Sequence, residues 1–293
     1  MDKLSGAGPE MAKLMQENMD LKRQLAGGAF SASCQICYAD LDVQDQIGGG
    51  GFSIVYRGLW QGTPVAIKKW FDPQATDAMM QEFREEVMIL QELRHPNVLQ
   101  FLGACMRPPN LAMVTEHLPL SLHAVLYSSD IPCDRRRAVA LAQDAARAFI
   151  YLHSRKPAVV HRDIKPANFL VDRSWKVKLC DFGLASNSRR QAGSGTPAYM
   201  APELLDSKPY SEKVDVYAFG VMLNEMMGKE VPFGGCGVPE IRAAVLSGQR
   251  PDMPLSCPKV VENIIKRCWD ADPTKRPSFE RVLELLKEAA RTM

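Results

Sequence analysis

Long apolar runs, charge of a single sign and paired cysteines are all scarce in this 293-residue chain. No apolar stretch of signal-peptide length follows the opening MDKLSGAGPE, so no secretory leader is expected there. The most apolar segment, 138–152, is interrupted by Asp144 and Arg147. It is too short and too charged to span a bilayer. Lys and Arg number 36 against 34 Asp and Glu, a formal net charge of +2. So even a balance argues against nucleic acid or an anionic membrane as the main partner. Cysteines stand at 34, 37, 105, 133, 180, 236, 257 and 268, and only Cys34 and Cys37 lie close together. A zinc ribbon needs a second such pair, so reduced thiols and a cytoplasmic setting are expected.

What is present is ordinary for a globular protein, 46% apolar and 24% charged. The length suits one large two-lobed domain or two small ones. Residues 1–40 read as a separate N-terminal segment. Within it Met11, Leu14, Asn18, Leu21 and Leu25 recur at three- and four-residue steps. That spacing is a short heptad seam with asparagine at a core position, and it ends at Gly27 and Gly28. It reads either as a helix that pairs two copies of the chain or as a frayed tail, since short isolated helices are marginal.

From about Asp42 the pattern turns to strands: the glycine-interrupted stretch 47–58, Val65–Lys68 after a Gly62-Thr63-Pro64 turn, 98–102, and 111–115. Between the second and third, Thr76 or Asp77 can cap a helix that runs to about Leu93, before His95-Pro96. Beyond Pro119 helical periodicity dominates, over 134–154, 211–228, 238–247, 258–269 and 278–290. Strands first and helices afterwards predict an α+β fold with a small sheet-rich part and a larger helical part.

Several residues carry chemistry. Gly48 to Gly51, flanked by Ile47 and Val55, read either as a plain turn or as backbone that can approach phosphate oxygens. No P-loop lysine follows, and no helix follows directly, so P-loop and dinucleotide readings fail. Ala66 and Lys68 share one face of their strand because side chains alternate. Met79, Phe83, Leu90 and Leu93 form the apolar stripe of the next helix, with Glu86 in its middle and Glu85 on the polar side. A carboxylate on a buried face needs a partner, and Lys68 is the natural one. In His161-Arg162-Asp163-Ile164-Lys165-Pro166-Ala167-Asn168, Asp163 could take a proton from a hydroxyl. Asn168 and the later Asp181 offer hard oxygen ligands to a divalent metal.

In this order the motifs resemble the eukaryotic protein kinase signature set: glycine loop, VAIK, a helix glutamate, HRDIKPAN, DFG (Asp181-Phe182-Gly183) and APE (Ala201-Pro202-Glu203). The resemblance covers about 40–293 and implies a domain at 41–293, with an N-lobe at 41–116 and a C-lobe at 117–293. It implies ATP and Mg as cofactors and protein substrates. Lys68 would hold phosphates, oriented by Glu86, and Asp163 would be the base. Lys165 would steady the γ-phosphate, and Asn168 and Asp181 would hold magnesium. Ile47, Gly48 and Gly50 would cover the nucleotide, with adenine between Val55, Ala66 and Leu170. Thr115 would stand at the back of the pocket, ahead of a hinge from Glu116 to Leu118. Asp215 would bond the backbone of the His-Arg-Asp loop, Arg276 would pair with Glu203, and Thr196 would contact Asp163 and Lys165. HRDIKPAN resembles serine/threonine kinases. LRHPNVLQFLGAC and the Trp269 to Phe279 segment resemble the tyrosine-kinase-like group, which includes Raf and mixed-lineage kinases.

The chain departs from the pattern at Ser53, the third glycine position, at Pro119-Leu120-Ser121-Leu122, which lacks a glycine, and at Asn224, where tryptophan is common. Ser53 keeps a non-catalytic binding module of the same fold as the competing expectation. Arg162 beside Asp163 implies regulation by phosphate on Ser186, Ser188 or Ser194. Cys180 reads as an apolar filler beside the pocket.

Overall fold

The computed structural model describes residues 34–49, 53–70, 77–128, 130–185 and 195–293. The heptad seam, Gly50, Thr76 and the three serines lie outside them, as does the side chain of Met79.

Strands β1 (Leu41–Gly49), β2 (Ser53–Trp60) and β3 (Thr63–Trp70) form a meander. After helix α1 (Asp77–Glu92), β4 (Phe101–Cys105) and β5 (Ala112–Glu116) complete an antiparallel sheet of order β1-β2-β3-β5-β4. Alternation sorts its faces. Val65 and Ile67 of β3 and Ala112 and Val114 of β5 bury one face together with Ile36 and Leu41. Ala66 and Lys68, on the other face of β3, are left for the cleft. Phe83, Val87 and Leu90 of α1, and Leu93 just after it, are buried, at about 1.5–3 kcal/mol of transfer free energy each. Residues just before β1 already belong to this lobe. Gln35 bridges Ala104 of edge strand β4, and a Cβ at Gly103 would sit 2.5 Å from the Cys34 carbonyl.

Two sequence expectations shift. The turn before β3 is Gln61-Gly62, at φ 50° and 79°, and Thr63 already pairs with Trp60. Two left-handed residues are what a tight hairpin between twisted strands demands. Pro64 therefore lies inside β3 opposite Leu59, beyond the end of β5, so its missing N–H costs no ladder bond. The run expected at 98–102 also moves, since β4 starts at Phe101. Val98 and Leu99 are buried against a different strand: Leu99 N–H donates to the Leu179 carbonyl at 2.9 Å, and Leu179 N–H to Asn97 at 2.9 Å. An apolar run alone does not say which sheet it joins.

The second lobe begins with β6 (Leu120–Ser121) and α2 (Leu122–Tyr127), capped by Ser121 Oγ on Ala124 N–H at 3.1 Å. The cap explains how this segment turns without the glycine noted as missing. Helix α3 (Arg135–Ser154) starts at Asp134, whose side chain accepts from Arg137 N–H at 2.8 Å. Strands β7 (Phe169–Val171) and β8 (Val177–Leu179) form a small antiparallel sheet with β6. The short α4 (Pro202–Leu205) holds Glu203, and α5 (Lys213–Gly228) is buried on nearly every face. An all-round buried helix is the mark of a lobe centre. Helices α6 (Val238–Leu246), α7 (Lys259–Cys268) and α8 (Phe279–Thr292) surround it. Phe279 stacks on Phe149 of α3 at 4.7 Å.

Two buried polar constructions hold this lobe. Asp215 of α5 is fully buried and accepts from His161 N–H and Arg162 N–H, both at 2.9 Å. Arg276 donates to both oxygens of Glu203 at 2.6 and 2.9 Å. Replacing Arg276 by Ala strands a buried carboxylate, so Arg276→Ala is expected to lose about 3–5 kcal/mol of stability in chemical denaturation. A loss below about 1 kcal/mol, the scale of a surface pair, would contradict this account of the lobe.

Candidate active site

The lobes meet at a cavity of about 920 Å³, within the range of small-molecule sites. Ile47, Gly48, Val55, Ala66, Lys68 and Glu86 line it from the first lobe. Asp163, Lys165, Asn168, Leu170 and Asp181 line it from the second, with Thr115 and Leu118 at the connection between them. Residues scattered over more than a hundred positions of sequence thus share one recess.

Lys68 Nζ lies 2.9 Å from Glu86 Oε1 and 2.9 Å from Asp181 Oδ1. Helix periodicity puts Glu86 on the inward face of α1, and strand alternation puts Lys68 on the cleft face of β3. Burial alone would lower the Lys68 pKa, but the two carboxylates outweigh it and hold the ammonium well above its ordinary value. Burial pushes the Glu86 carboxyl up, against the attraction of Lys68. With two carboxylates on one ammonium, the charged lysine is the state that the geometry supports. Asp181 is opposed by burial yet held below its ordinary value by the charge and hydrogen bond of Lys68.

Asp163, also lining the cavity, is held by four donors. Thr196 N–H and Oγ1–H reach Oδ1 at 3.2 and 2.8 Å, and Asn168 Nδ2 and Lys165 Nζ reach Oδ2 at 2.9 and 2.8 Å. Lys165 Nζ also donates to Thr196 Oγ1 at 2.8 Å. Asn168 Nδ2 spends its second hydrogen on the Asp163 carbonyl at 2.8 Å. Its amide oxygen is the group left to accept or to ligate. Phe182 is buried, edge-on to His161 at 5.1 Å. Arg162 donates through Nε to the Leu184 carbonyl at 2.7 Å and through Nη1 to Tyr210 Oη at 3.2 Å.

Glu116 stands apart from the other expected nucleotide residues. Its side chain turns away from the cavity, to Lys178 and to Gln100 N–H, so only its backbone could meet a ligand. Met113, Trp70, His117 and Leu99 line the cavity without having been singled out in the sequence. Alternation could have found Met113 from Thr115 and Trp70 from Lys68. Leu99 could not be found that way, because it reaches the cavity from a segment outside β4 that is bonded to Leu179. Cys180 also lines the cavity, and burial pushes its thiol up, which suits an inert filler.

Residues 41–286 match the family described as protein tyrosine and serine/threonine kinase. The chain belongs to that family, as the motif resemblance implied. It is 41% identical over 263 residues to the probable serine/threonine-protein kinase SIS8 of Arabidopsis thaliana, covering 87% of this chain and 26% of the relative. It is 40% identical over 237 residues to the probable serine/threonine-protein kinase drkD of Dictyostelium discoideum, covering 80% and 18%. It is 40% identical over 261 residues to the serine/threonine-protein kinase CTR1 of Arabidopsis thaliana, covering 86% and 32%. The chain thus spans a third or less of these relatives' length. Among the described residues no helix is long and apolar enough to cross a membrane.

The titration of the Lys68 cluster has a definite sign. The folded Asp181 pKa lies below its ordinary 3.8, so its stabilising contribution is present above that pH and lost as pH falls through the folded value. The Lys68 contribution is complete below its ordinary 10.5 and fades only above the raised folded value. The stability gap between wild type and Asp181→Asn is therefore expected to stay flat between about pH 5 and 9 and to shrink in acid. Chemical denaturation across that range measures it. A gap that widens as pH falls would contradict the Lys68–Asp181 pairing.

Proposed function

We propose that this protein transfers the γ-phosphate of ATP to serine or threonine hydroxyls of protein substrates, with magnesium as its metal. The observation that carries the reading is the convergence of two charged groups on one cavity. The Lys68–Glu86–Asp181 cluster and the Asp163–Lys165–Asn168 cluster line the same recess. Phosphoryl transfer asks a protein for position and for neutralised charge more than for covalent chemistry, and these clusters supply both.

The donor set fits the metal. Asn168 presents an amide oxygen because both of its N–H groups are engaged by Asp163, and Asp181 presents a carboxylate. Magnesium prefers hard oxygens and few protein ligands beside substrate phosphates. Bound there, it would neutralise charge on the phosphate oxygens. Lys68 would hold the α- and β-phosphates, fixed in direction by Glu86. Val55 and Ala66 would lie on one face of the adenine and Leu170 on the other. Backbone groups from Glu116 to Leu118 would meet its edge, and the glycine turn with Ile47 and Gly48 would cover the phosphates.

Asp163 would take the hydroxyl proton. A carboxylate offers about four lone-pair sites, and all four here hold a donor. One bond must therefore open before a substrate hydroxyl can approach. Lys165 is the donor able to leave, because its ammonium sits on a long flexible stem. Turning it to the γ-phosphate frees an Asp163 oxygen as the substrate arrives. Thr196 and Asn168 meanwhile keep the carboxylate in place.

The Ser/Thr preference is supported by Lys165 and Thr196 beside the base and by the names of the relatives. A signalling role in a reducing, cytoplasmic compartment is the setting this reading carries with it, as is pairing of two chains through residues 11–25. Asp163→Asn is expected to lower phosphate transfer from labelled Mg·ATP to a Ser/Thr peptide array by about 10²–10⁴-fold. Its nucleotide affinity is expected to stay near that of wild type. Lys68→Met is expected to lose both. Transfer that survives in Asp163→Asn would overturn the base assignment, and labelling confined to tyrosine peptides would overturn the acceptor.

A further inference from the structure

The side chain of Glu116, which turns away from the cavity, points to a role of its own. Both of its oxygens meet Lys178 Nζ, at 2.7 and 2.8 Å, and Oε1 also accepts from Gln100 N–H at 2.8 Å. Glu116 N–H donates in turn to the Gln100 carbonyl at 3.0 Å. One carboxylate therefore ties three segments: the connection between the lobes, the approach to β4, and strand β8.

The placement of Lys178 gives that tie its meaning. It pairs directly with Leu170 across β7 and β8, and directly opposed residues of an antiparallel pair share one face. Leu170 of this face lines the cavity, while Lys178 beside it reaches the hinge. Three residues later the segment that follows the strand delivers Asp181. The strand also holds a second segment of the first lobe, residues 97–99. Leu99 N–H donates to the Leu179 carbonyl, Leu179 N–H donates to the Asn97 carbonyl, and Asn97 Nδ2 donates to the Val177 carbonyl at 2.8 Å. The hinge and the first-lobe segment 97–99 are thus both fastened to β8, one through the Lys178–Glu116 pair and the other through backbone. The two side chains are only 19% and 24% exposed, so solvent screens the pair less than it would a surface contact.

We propose that Lys178 is a positioning residue for nucleotide binding. It fixes the hinge backbone at Glu116 relative to β8, which pairs with Leu170 of β7 and leads into Asp181, and so sets the distance between the adenine end and the metal end of the site. The proposal rests on the kinase reading above. It touches no reacting atom, so its signature is a weaker hold on nucleotide rather than a slower chemical step.

The test is direct titration of Mg·ATP, followed by steady-state phosphate transfer and thermal unfolding, in wild type, Lys178→Met, Glu116→Gln, the double variant and Lys178→Arg. Lys178→Met and Glu116→Gln are each expected to raise the Kd for Mg·ATP about five- to thirtyfold, with KM rising in parallel and kcat changing little. The double variant should be no worse than the worse single one, since both remove the same tie. Lys178→Arg should restore most of the affinity, because a guanidinium can span both carboxylate oxygens. A Kd unchanged in Lys178→Met, or a fall in unfolding temperature with unchanged Kd, overturns the proposal. If Lys178→Met does not fold, Glu116→Gln and Lys178→Arg still decide it. A wild type that binds Mg·ATP without transferring phosphate contradicts the phosphotransfer reading alone, and one that binds no Mg·ATP overturns both.

Discussion

One ammonium group, on Lys68, organises the cleft. It is bound at once by a carboxylate from helix α1 and by a carboxylate from the segment after β8. The first lies in the small lobe and the second in the large one. Neither carboxylate would sit there cheaply alone: Glu86 is buried, and Asp181 faces it across the same lysine. The position of α1, the direction of Asp181 and the depth of the cavity all follow from this shared charge. Its strength comes from partial burial, which makes an ion pair costly to break once formed.

The larger lobe answers with a rigid frame. Helix α5 is buried nearly all round, so it behaves as an interior post rather than a surface helix. Asp215 on that post fixes the backbone at His161 and Arg162, just before Asp163. Thr196, Lys165 and Asn168 then aim the Asp163 carboxylate. The chain of restraint runs from apolar packing, through a buried carboxylate, to one oxygen in the cavity. That oxygen is fixed by elements that do not themselves touch a substrate.

Much of this arrangement was legible in the sequence, for physical reasons. Glu86 stood out as a charge on an apolar stripe, and burial on that stripe forced a partner. Lys68 followed from strand alternation. The α+β order followed from the change of period after Pro119. What failed were judgements that needed the third dimension. Val98 and Leu99 read as part of β4, yet they pair with β8, because hydrophobic pattern reports burial and not the identity of the neighbour. Pro64 read as a turn residue, although the position of the β5 end makes it harmless within β3. The expectation at Glu116 concerned its backbone in the hinge; the bond of its side chain to Lys178 was not foreseen. No local pattern distinguishes a residue that offers its backbone to a ligand from one that offers its side chain.

The central claim is that one cavity holds nucleotide and metal between the two charged clusters. A crystal structure determined with magnesium and a non-hydrolysable ATP analogue tests it most directly. The account predicts the purine between Val55 and Leu170, the metal on oxygens of Asn168 and Asp181, and Lys68 still bonded to Glu86. Density for the analogue outside this cavity, or Lys68 and Asp181 drawn apart with no ligand between them, would contradict it.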